Sequence, residues 1–257
     1  MSTKSLLLSV MIFSLYNQLY GQEIQYKNIY IETGMELINC APPDDKTYIR
    51  GDVDPQPSYY EETSYMMSLL YKNYFGIKGE IRVLNNKLGL ASGLRYTRMV
   101  SSLGKNDYWT TRSDFLYLLY KQDGTTTEYL KIKDITQISN FLGIPLELRI
   151  YPYAEHFIQL YYKIGTDLNL LLKGKTDVQF VNSNMQKNEG EVDRIIEDPW
   201  KFYASLHLAI CFKIGKPDRP GVNIEACVPS VILSNNNSSF VTPYAGGGLQ
   251  LNLRIPF

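Results

Sequence analysis

Eight segments of this chain alternate apolar and polar residues with a period of two, the mark of strands with two chemically distinct faces. The first sets Ile29, Ile31, Thr33, Met35 and Leu37 against Tyr30, Glu32, Gly34 and Glu36. The second sets Phe75, Ile77, Gly79, Ile81 and Val83 against Gly76, Lys78, Glu80 and Arg82, and Asn85-Asn86-Lys87 turns the chain. The third carries Leu88, Leu90, Leu94 and Tyr96 opposite Gly89, Ala91, Gly93, Arg95 and Thr97. The fourth, Leu142 to Ile150, opposes Pro145, Glu147, Arg149 and Tyr151, and the fifth, Ile158 to Leu172, opposes Gln159, Tyr161, Lys163, Asp167 and Lys173. The sixth places Leu206, Leu208 and Ile210 against Ser205, His207, Cys211 and Lys213. The seventh places Val222, Ile224, Ala226, Val228 and Ile232 against Asn223, Glu225, Cys227 and Pro229, and the last places Leu249, Leu251, Leu253, Ile255 and Phe257 against Gln250, Asn252 and Arg254.

The links between these runs are unequal. Those after runs two, four and six are short, about 85–87, 152–155 and 216–221. Those after runs one and three are long, about 39–63 and 102–137, and that after run five is intermediate, about 181–199. An even number of strands, short turns at one rim and longer loops at the other describe a transmembrane β-barrel. Each run supplies the roughly 9–11 residues that a tilted strand needs to span a membrane.

Alternation alone leaves open which face is inside. The polar faces carry the acids Glu32, Glu36, Glu80, Glu147, Asp167 and Glu225. They also carry the bases Lys78, Arg82, Arg95, Arg149, Lys163, Lys173, Lys213 and Arg254. Near balance lets these groups pair as an interior charge network, where an unpaired charge is costly. Small residues on the same faces, Gly34, Gly76, Gly89, Ala91, Gly93 and Gly165 among them, make room for long side chains in an eight-strand barrel that side chains fill. Tyr, at 21 residues against 2 Trp and 10 Phe, suits strands and wet–apolar boundaries, and its positions towards strand ends suit interfacial girdles.

Equal numbers of Lys+Arg and Asp+Glu, 26 each, remove the electrostatic case for a nucleic-acid partner. A mean hydropathy of -0.21 without a long apolar run excludes a helical membrane protein. Lys4, the apolar stretch Leu6 to Leu15 and the small Gly21 have the layout of a secretory signal peptide. This predicts a leader over 1–21 and a barrel domain over 22–257.

Three motifs narrow the reading. Gln250-Leu251-Asn252-Leu253-Arg254-Ile255-Pro256-Phe257 ends on a strand with a terminal aromatic, and resembles the C-terminal signal read by the bacterial barrel-assembly machinery, with Phe257 as its key residue. Leu88-Gly89-Leu90-Ala91-Ser92-Gly93-Leu94-Arg95-Tyr96-Thr97 resembles the glycine-leucine strand of small Bacteroidetes barrels. Phe141-Leu142-Gly143-Ile144-Pro145-Leu146-Glu147-Leu148, entered from Tyr129-Leu130-Lys131-Ile132, resembles another strand of the same proteins. Together they resemble the PorT-like outer-membrane β-barrel family over roughly residues 28–257. The long third connection and the Ala154-Glu155-His156 turn depart from its pattern. The resemblance implies an all-β, eight-stranded antiparallel transmembrane barrel of the OmpA/OmpX-like kind, with short periplasmic turns and longer extracellular loops. It implies residence in the bacterial outer membrane, contact with outer-membrane lipid and no shared catalytic residues.

Chemistry-bearing residues are few. His207 shares a polar face with Ser205 and reads as a buried, hydrogen-bonded histidine rather than a catalytic one, while His156 reads as a rim residue. Neither metal-ligand spacing nor a phosphate-cradling glycine loop is present, so no cofactor is expected. Cys211 and Cys227 lie about equidistant from the turn between them, so a disulfide is one reading and two reduced interior thiols the preferred one. Cys40 has no evident partner. Asp114 to Lys121 and Thr127 to Ile132 read as a hairpin that extends barrel strands beyond the membrane, and the aromatics nearby, Tyr108, Trp109 and Phe115 among them, read either as a contact patch for a partner or as packing within the loop. The Asn236-Asn237-Ser238-Ser239 sequons read as a polar loop. These features predict a non-enzymatic structural or binding component of the envelope, with envelope or secretion-complex proteins as partners. The competing readings are a narrow channel, a lipid-modifying barrel enzyme and a soluble secreted ligand-binding barrel.

Overall fold

The computed structural model describes residues 26–41, 49–50, 66–105, 116–122, 127–153, 156–196, 198–216, 218–233 and 241–257. The leader over 1–21, the sequons at 236–239 and the aromatics Tyr108, Trp109 and Phe115 lie outside them.

The eight alternating runs form eight long strands: β1 (Tyr26–Ala41), β3 (Met66–Val83), β4 (Leu88–Lys105), β6 (Thr127–Ile150), β7 (Ile158–Phe180), β8 (Phe202–Ile214), β9 (Gly221–Leu233) and β10 (Thr242–Pro256). Two shorter strands, β2 (Ile49–Arg50) and β5 (Leu116–Gln122), complete the sheet. Each long strand pairs antiparallel with its neighbours in the order β6-β4-β3-β1-β10-β9-β8-β7, and a pairing of β6 with β7 closes the ring. Closure leaves no edge along the eight strands, the condition for crossing a bilayer with β structure. The fold is a transmembrane-type eight-stranded barrel.

Chain reversal is asymmetric. At the turn end, Leu84, Asn85 and Asn86 all take positive φ and Lys87 N donates to Leu84 O at 3.2 Å, a conformation Asn tolerates well. Phe257 N donates to Lys27 O at 3.1 Å, so the described ends of the chain meet at this rim. The connections at the opposite rim, the loop end, are longer, but less so than the sequence suggests. β4 and β6 run to Lys105 and from Thr127, so much of the expected 102–137 loop is strand. β5 and β6 form the expected hairpin, Leu116 opposite Ile132 and Gln122 opposite Thr127, and β2 adds to its far side. The 181–199 link folds back as a short 3-10 turn, Ser183–Asn188, and a helical turn, Glu189–Val192.

Over the turn-side half the barrel is inverted relative to a soluble one. Leu142, Ile144, Leu146 and Ile150 of β6 point outward and are exposed, while Glu147 and Arg149 point inward and are buried. The nine residues from Leu142 to Ile150 match the length of a spanning strand. Leu168 and Leu208 are exposed, and Arg149 and Lys163 are sealed inside. Cross-strand pairing places this outer surface in continuous rows: Leu251, Thr33, Phe75, Tyr96, Leu142 and Leu170 form one. The next row towards the loop end is Met35, Asn73, Arg98, Asn140 and Lys173, where the outside turns polar.

Beyond that row the polarity of β7 reverses, while Leu37 and Tyr71 of β1 and β3 stay exposed for one row more. Lys175 and Gln179 of β7 face outward, whereas Val178 and Phe180 face inward. Ile38, Leu70, Met99, Leu103, Ile132 and Phe141 meet inside the barrel, joined by Val192, Ile196 and Trp200 from the folded-back link. This loop-side head has the ordinary apolar core of a soluble domain, with Phe141 edge-on to Tyr203 at 4.8 Å between ring centroids.

Candidate functional site

The interior of the turn-side half holds the charge network. Every acid and base expected there is buried inside the barrel except Lys173, which is exposed on the outer wall. The cause is a register shift: Phe141 pairs with Leu171 but Asn140 pairs with Lys173, so Leu172 is an extra residue. Such a bulge flips the alternation of everything beyond it. The same reasoning relocates Ile232. A shift at Val228 and Pro229 turns it from the outer face to the interior.

The network is layered. Nearest the turn end, Glu80 accepts from Tyr30 Oη and Tyr151 Oη at 2.6 Å each, from Asn28 Nδ2 at 3.0 Å and from Arg82 Nε at 3.2 Å. The Arg82 guanidinium lies 3.9 Å from the Tyr151 ring centroid, and that of Arg149 lies 4.4 Å from Tyr30. In the middle, Glu147 receives Lys78 Nζ at 2.6 Å and Arg149 Nη2 at 2.7 Å. Glu32 receives Arg95 through Nε at 2.7 Å and Nη2 at 2.8 Å, and Lys78 at 2.7 Å. Glu225 binds Lys163, Tyr161 Oη at 2.6 Å and Asn252 Nδ2 at 2.7 Å. Towards the head, Asp167 takes Arg95 Nη1 at 2.7 Å and Lys72 at 3.3 Å, while Glu36 takes Lys72 at 3.4 Å and Ser230 Oγ at 2.6 Å.

Glycine placement makes these contacts reachable. Gly76 sits between Glu32 and Arg95 in one cross-strand row, and a Cβ there would strike the Glu32 carboxylate. Arg95 therefore reaches across β3 to make its two-pronged bond, the geometry in which guanidinium and carboxylate fit best. Gly89 similarly separates Arg82 from Arg149 and leaves the space that the Glu80 carboxylate fills.

The network's acids number six: Glu32, Glu36, Glu80, Glu147, Asp167 and Glu225. Among the bases, Lys72 joins Lys78, Arg82, Arg95, Arg149 and Lys163 in ion pairs with these acids. Two further bases, Lys213 and Arg254, are buried inside at the turn end. Lys213 donates to Gln159 at 3.4 Å, and Arg254 donates to the carbonyls of Lys216 and Arg219. Pairing matters here because a charge in this enclosure is costly to leave uncompensated.

Sequence reasoning missed Lys72 and the inward tyrosines Tyr74 and Tyr203, while Tyr30 falls on the polar face where the alternation puts it. Lys72 continues the alternation of Lys78 and Gly76 past Phe75, so the signal was present once the strand is extended. Tyr30, Tyr161 and Tyr203 bring hydroxyls to the interior, while Tyr96, Tyr153, Tyr162 and Tyr244 are exposed on the outside, so tyrosine serves both places.

Ser205 and His207 are also buried inside. Ser205 Oγ donates to Asp167 at 3.1 Å, and His207 Nδ1 lies 4.0 Å from the same carboxylate. Neither ring nitrogen of His207 has a hydrogen-bond partner among the described residues, contrary to the hydrogen-bonded histidine expected. His156 is exposed at the turn end. Cys211 and Cys227 are free, buried thiols: Cys211 lies opposite Glu225 and Cys227 opposite Ala209, so they are diagonal rather than facing. Phe257 is exposed at the turn-end rim.

No family model matches the chain, and no curated protein matches it significantly. Among solved structures, the outer membrane protein OprG from Pseudomonas aeruginosa is similar with a TM-score of 0.40 and 12% identity, over 89% of this chain and 95% of that chain. A likeness at this distance carries no argument about this chain.

Proposed function

We propose that the chain is a sealed, non-enzymatic barrel of the bacterial outer membrane, and that it acts through its loop-side head as a structural or binding component of the envelope. The single observation behind this reading is that one ring of strands is filled twice. Six acids and eight bases fill the turn-side half, and an apolar core that includes Phe141, Trp200 and Tyr203 closes the head. A chain that only crossed the membrane would need no second core. Strands carried past the bilayer and packed as a soluble domain present a rigid surface to the outside.

The outer-membrane placement draws support from the outward aliphatic band, the turn-and-loop asymmetry and the leader-like layout of 1–21. The PorT-like motifs, Leu88 to Thr97 and Phe141 to Leu148, support an envelope or secretion-assembly role. The non-enzymatic part rests on Ser205, whose hydroxyl bonds to Asp167 and not to His207, deep within the barrel.

The test is planar-bilayer recording of the refolded protein. A sealed barrel gives no steady unitary conductance, and Arg149→Ala leaves that baseline unchanged. Discrete conductance that falls when Arg82 or Arg149 is replaced would establish the channel reading instead. Fractionation supplies the second arm, since a protein found in the supernatant after membranes are pelleted is not a membrane barrel.

A further inference from the structure

The outer wall over β1, β3 and β10 is not smooth. Thr33 lies between Leu251 and Phe75 in one cross-strand row, and its short side chain leaves the floor of a groove whose walls the two larger neighbours supply. The groove is about 600 Å³. A second depression of about 260 Å³ shares Thr33, Phe75 and Leu251 with it and carries it on towards the turn end. Its lining is almost wholly apolar along this length, and it runs with the strands.

At its loop-side end the groove meets Asn73 and Arg98, in the row where the outer surface turns polar. Arg98 is exposed and has no ion-pair partner among the described residues. Its cross-strand neighbours are Asn73 and Asn140, so no carboxylate faces it, and Lys173 lies next along the row. Asn140 Oδ1 accepts from Tyr96 Oη at 2.8 Å, which engages its acceptor and leaves its amide N–H groups as donors. Asp177 of the same strand as Lys173 lies two rows further towards the loop end, opposite Thr136. A cation, a second cation and two amides above an apolar groove are complementary to one kind of molecule: a negatively charged head on a hydrocarbon chain.

We propose that this wall binds a phosphate-bearing membrane lipid of the loop-side leaflet, with its phosphate on Arg98 and one acyl chain in the groove over Thr33. The proposal rests on the membrane reading above. Arginine offers a planar fork that meets an exposed phosphate through two N–H groups, which favours an anionic phosphate head over a neutral or zwitterionic one. The row position of Lys173, displaced to the outside by the bulge at Leu172, gives that residue a use the interior network does not.

The test is native mass spectrometry of the full chain folded in zwitterionic micelles and offered lipid A, phosphatidylcholine or inorganic phosphate. The expected result is retention of lipid A over phosphatidylcholine, weakened about tenfold in Arg98→Ala, the loss of one charge-assisted contact. Thr33→Trp, which fills the groove while keeping an apolar wall, should weaken it similarly. Both variants should keep the heat-modifiable gel shift of the folded barrel. Equal retention by wild type and both variants overturns the proposal, as does inorganic phosphate displacing lipid A as well as unlabelled lipid A does. Failure of the wild type to fold in micelles at all overturns the membrane reading itself, a separate outcome visible before any lipid is added.

Discussion

The turn-side and loop-side halves of this barrel are made by the same eight strands and solve opposite problems. On the turn side Leu146, Leu168 and Leu208 face out and the ionic groups are enclosed, as the proposed hydrocarbon setting of that wall requires. On the loop side Lys175 and Gln179 face out and Leu70, Phe141 and Phe180 are enclosed, as water outside requires. Strands β4, β6 and β7 cross this boundary without a break. What changes is the identity of inward and outward residues, and in β7 the bulge at Leu172 shifts the register between the two regimes. The same backbone therefore serves two solvents, and the interior of each half is stabilised by a different force: ion pairing that cannot be left incomplete below, and apolar packing above.

The largest effects separate those forces. Glu147 is shared by Lys78 and Arg149, so Glu147→Ala removes the nearest carboxylate of each, leaving Lys78 on Glu32 and Arg149 on the more distant Glu225, and should cost about 3–5 kcal/mol. Phe141→Ala should cost a similar roughly 3–5 kcal/mol, but in the head. The two are distinguished by probe. Trp200 belongs to the head core, and with Trp109→Phe as background its fluorescence reports the head alone, while gel mobility before heating reports the barrel. In urea titrations Phe141→Ala should shift the Trp200 transition and leave the mobility transition in place. Coincident shifts of both would mean that the halves unfold as one unit.

Intermediate effects test the outer wall. Leu146→Lys puts a charge in the middle of the aliphatic band and should cost about 2–4 kcal/mol in a bilayer. Lys173→Leu should stay within about 0.5 kcal/mol, because Lys173 is exposed on the polar row rather than paired inside. Measured by urea titration in lipid vesicles, a large loss in Lys173→Leu would return that residue to the interior network.

Most of the barrel was legible because alternation is a local signal and strand parity persists for many residues. Glu32, Arg95 and Glu147 fall on the inward face by counting alone. The misplacements share a cause. Lys173 and Ile232 lie beyond bulges, and a single extra residue inverts parity without changing composition. The head was missed because its strands continue the alternation with the opposite sense: Lys175, Asp177 and Gln179 against Val178 and Phe180 look like the end of an apolar-outward strand when they are its continuation in water. Lys72 escaped for a related reason, since the strand was started at Phe75, short of the polar outward Asn73. The partnerships within the network were not legible, because Arg95 meets Glu32 across an intervening strand and only the position of Gly76 permits it.

The smallest effect probes how tightly the head is closed at its margin. Cys40 lies near the loop end of β1, half-buried against the head core, and its burial pushes the thiol up to about 12. At neutral pH it is therefore a protonated thiol, and only the thiolate attacks a maleimide. The sign follows directly: a raised value means that alkylation is slow at pH 7 and accelerates as pH rises towards it. With Cys211 and Cys227 enclosed in the barrel, Cys40 should be the first of the three to react, in a Cys211→Ser, Cys227→Ser background as in the wild type. Phe141→Ala, which loosens the core beneath it, should raise the rate at pH 7 without altering barrel mobility. A Cys40 that reacts at the rate of a free thiol in the intact protein would show that the head is open where β1 ends, and the two halves would then differ in closure as well as in polarity.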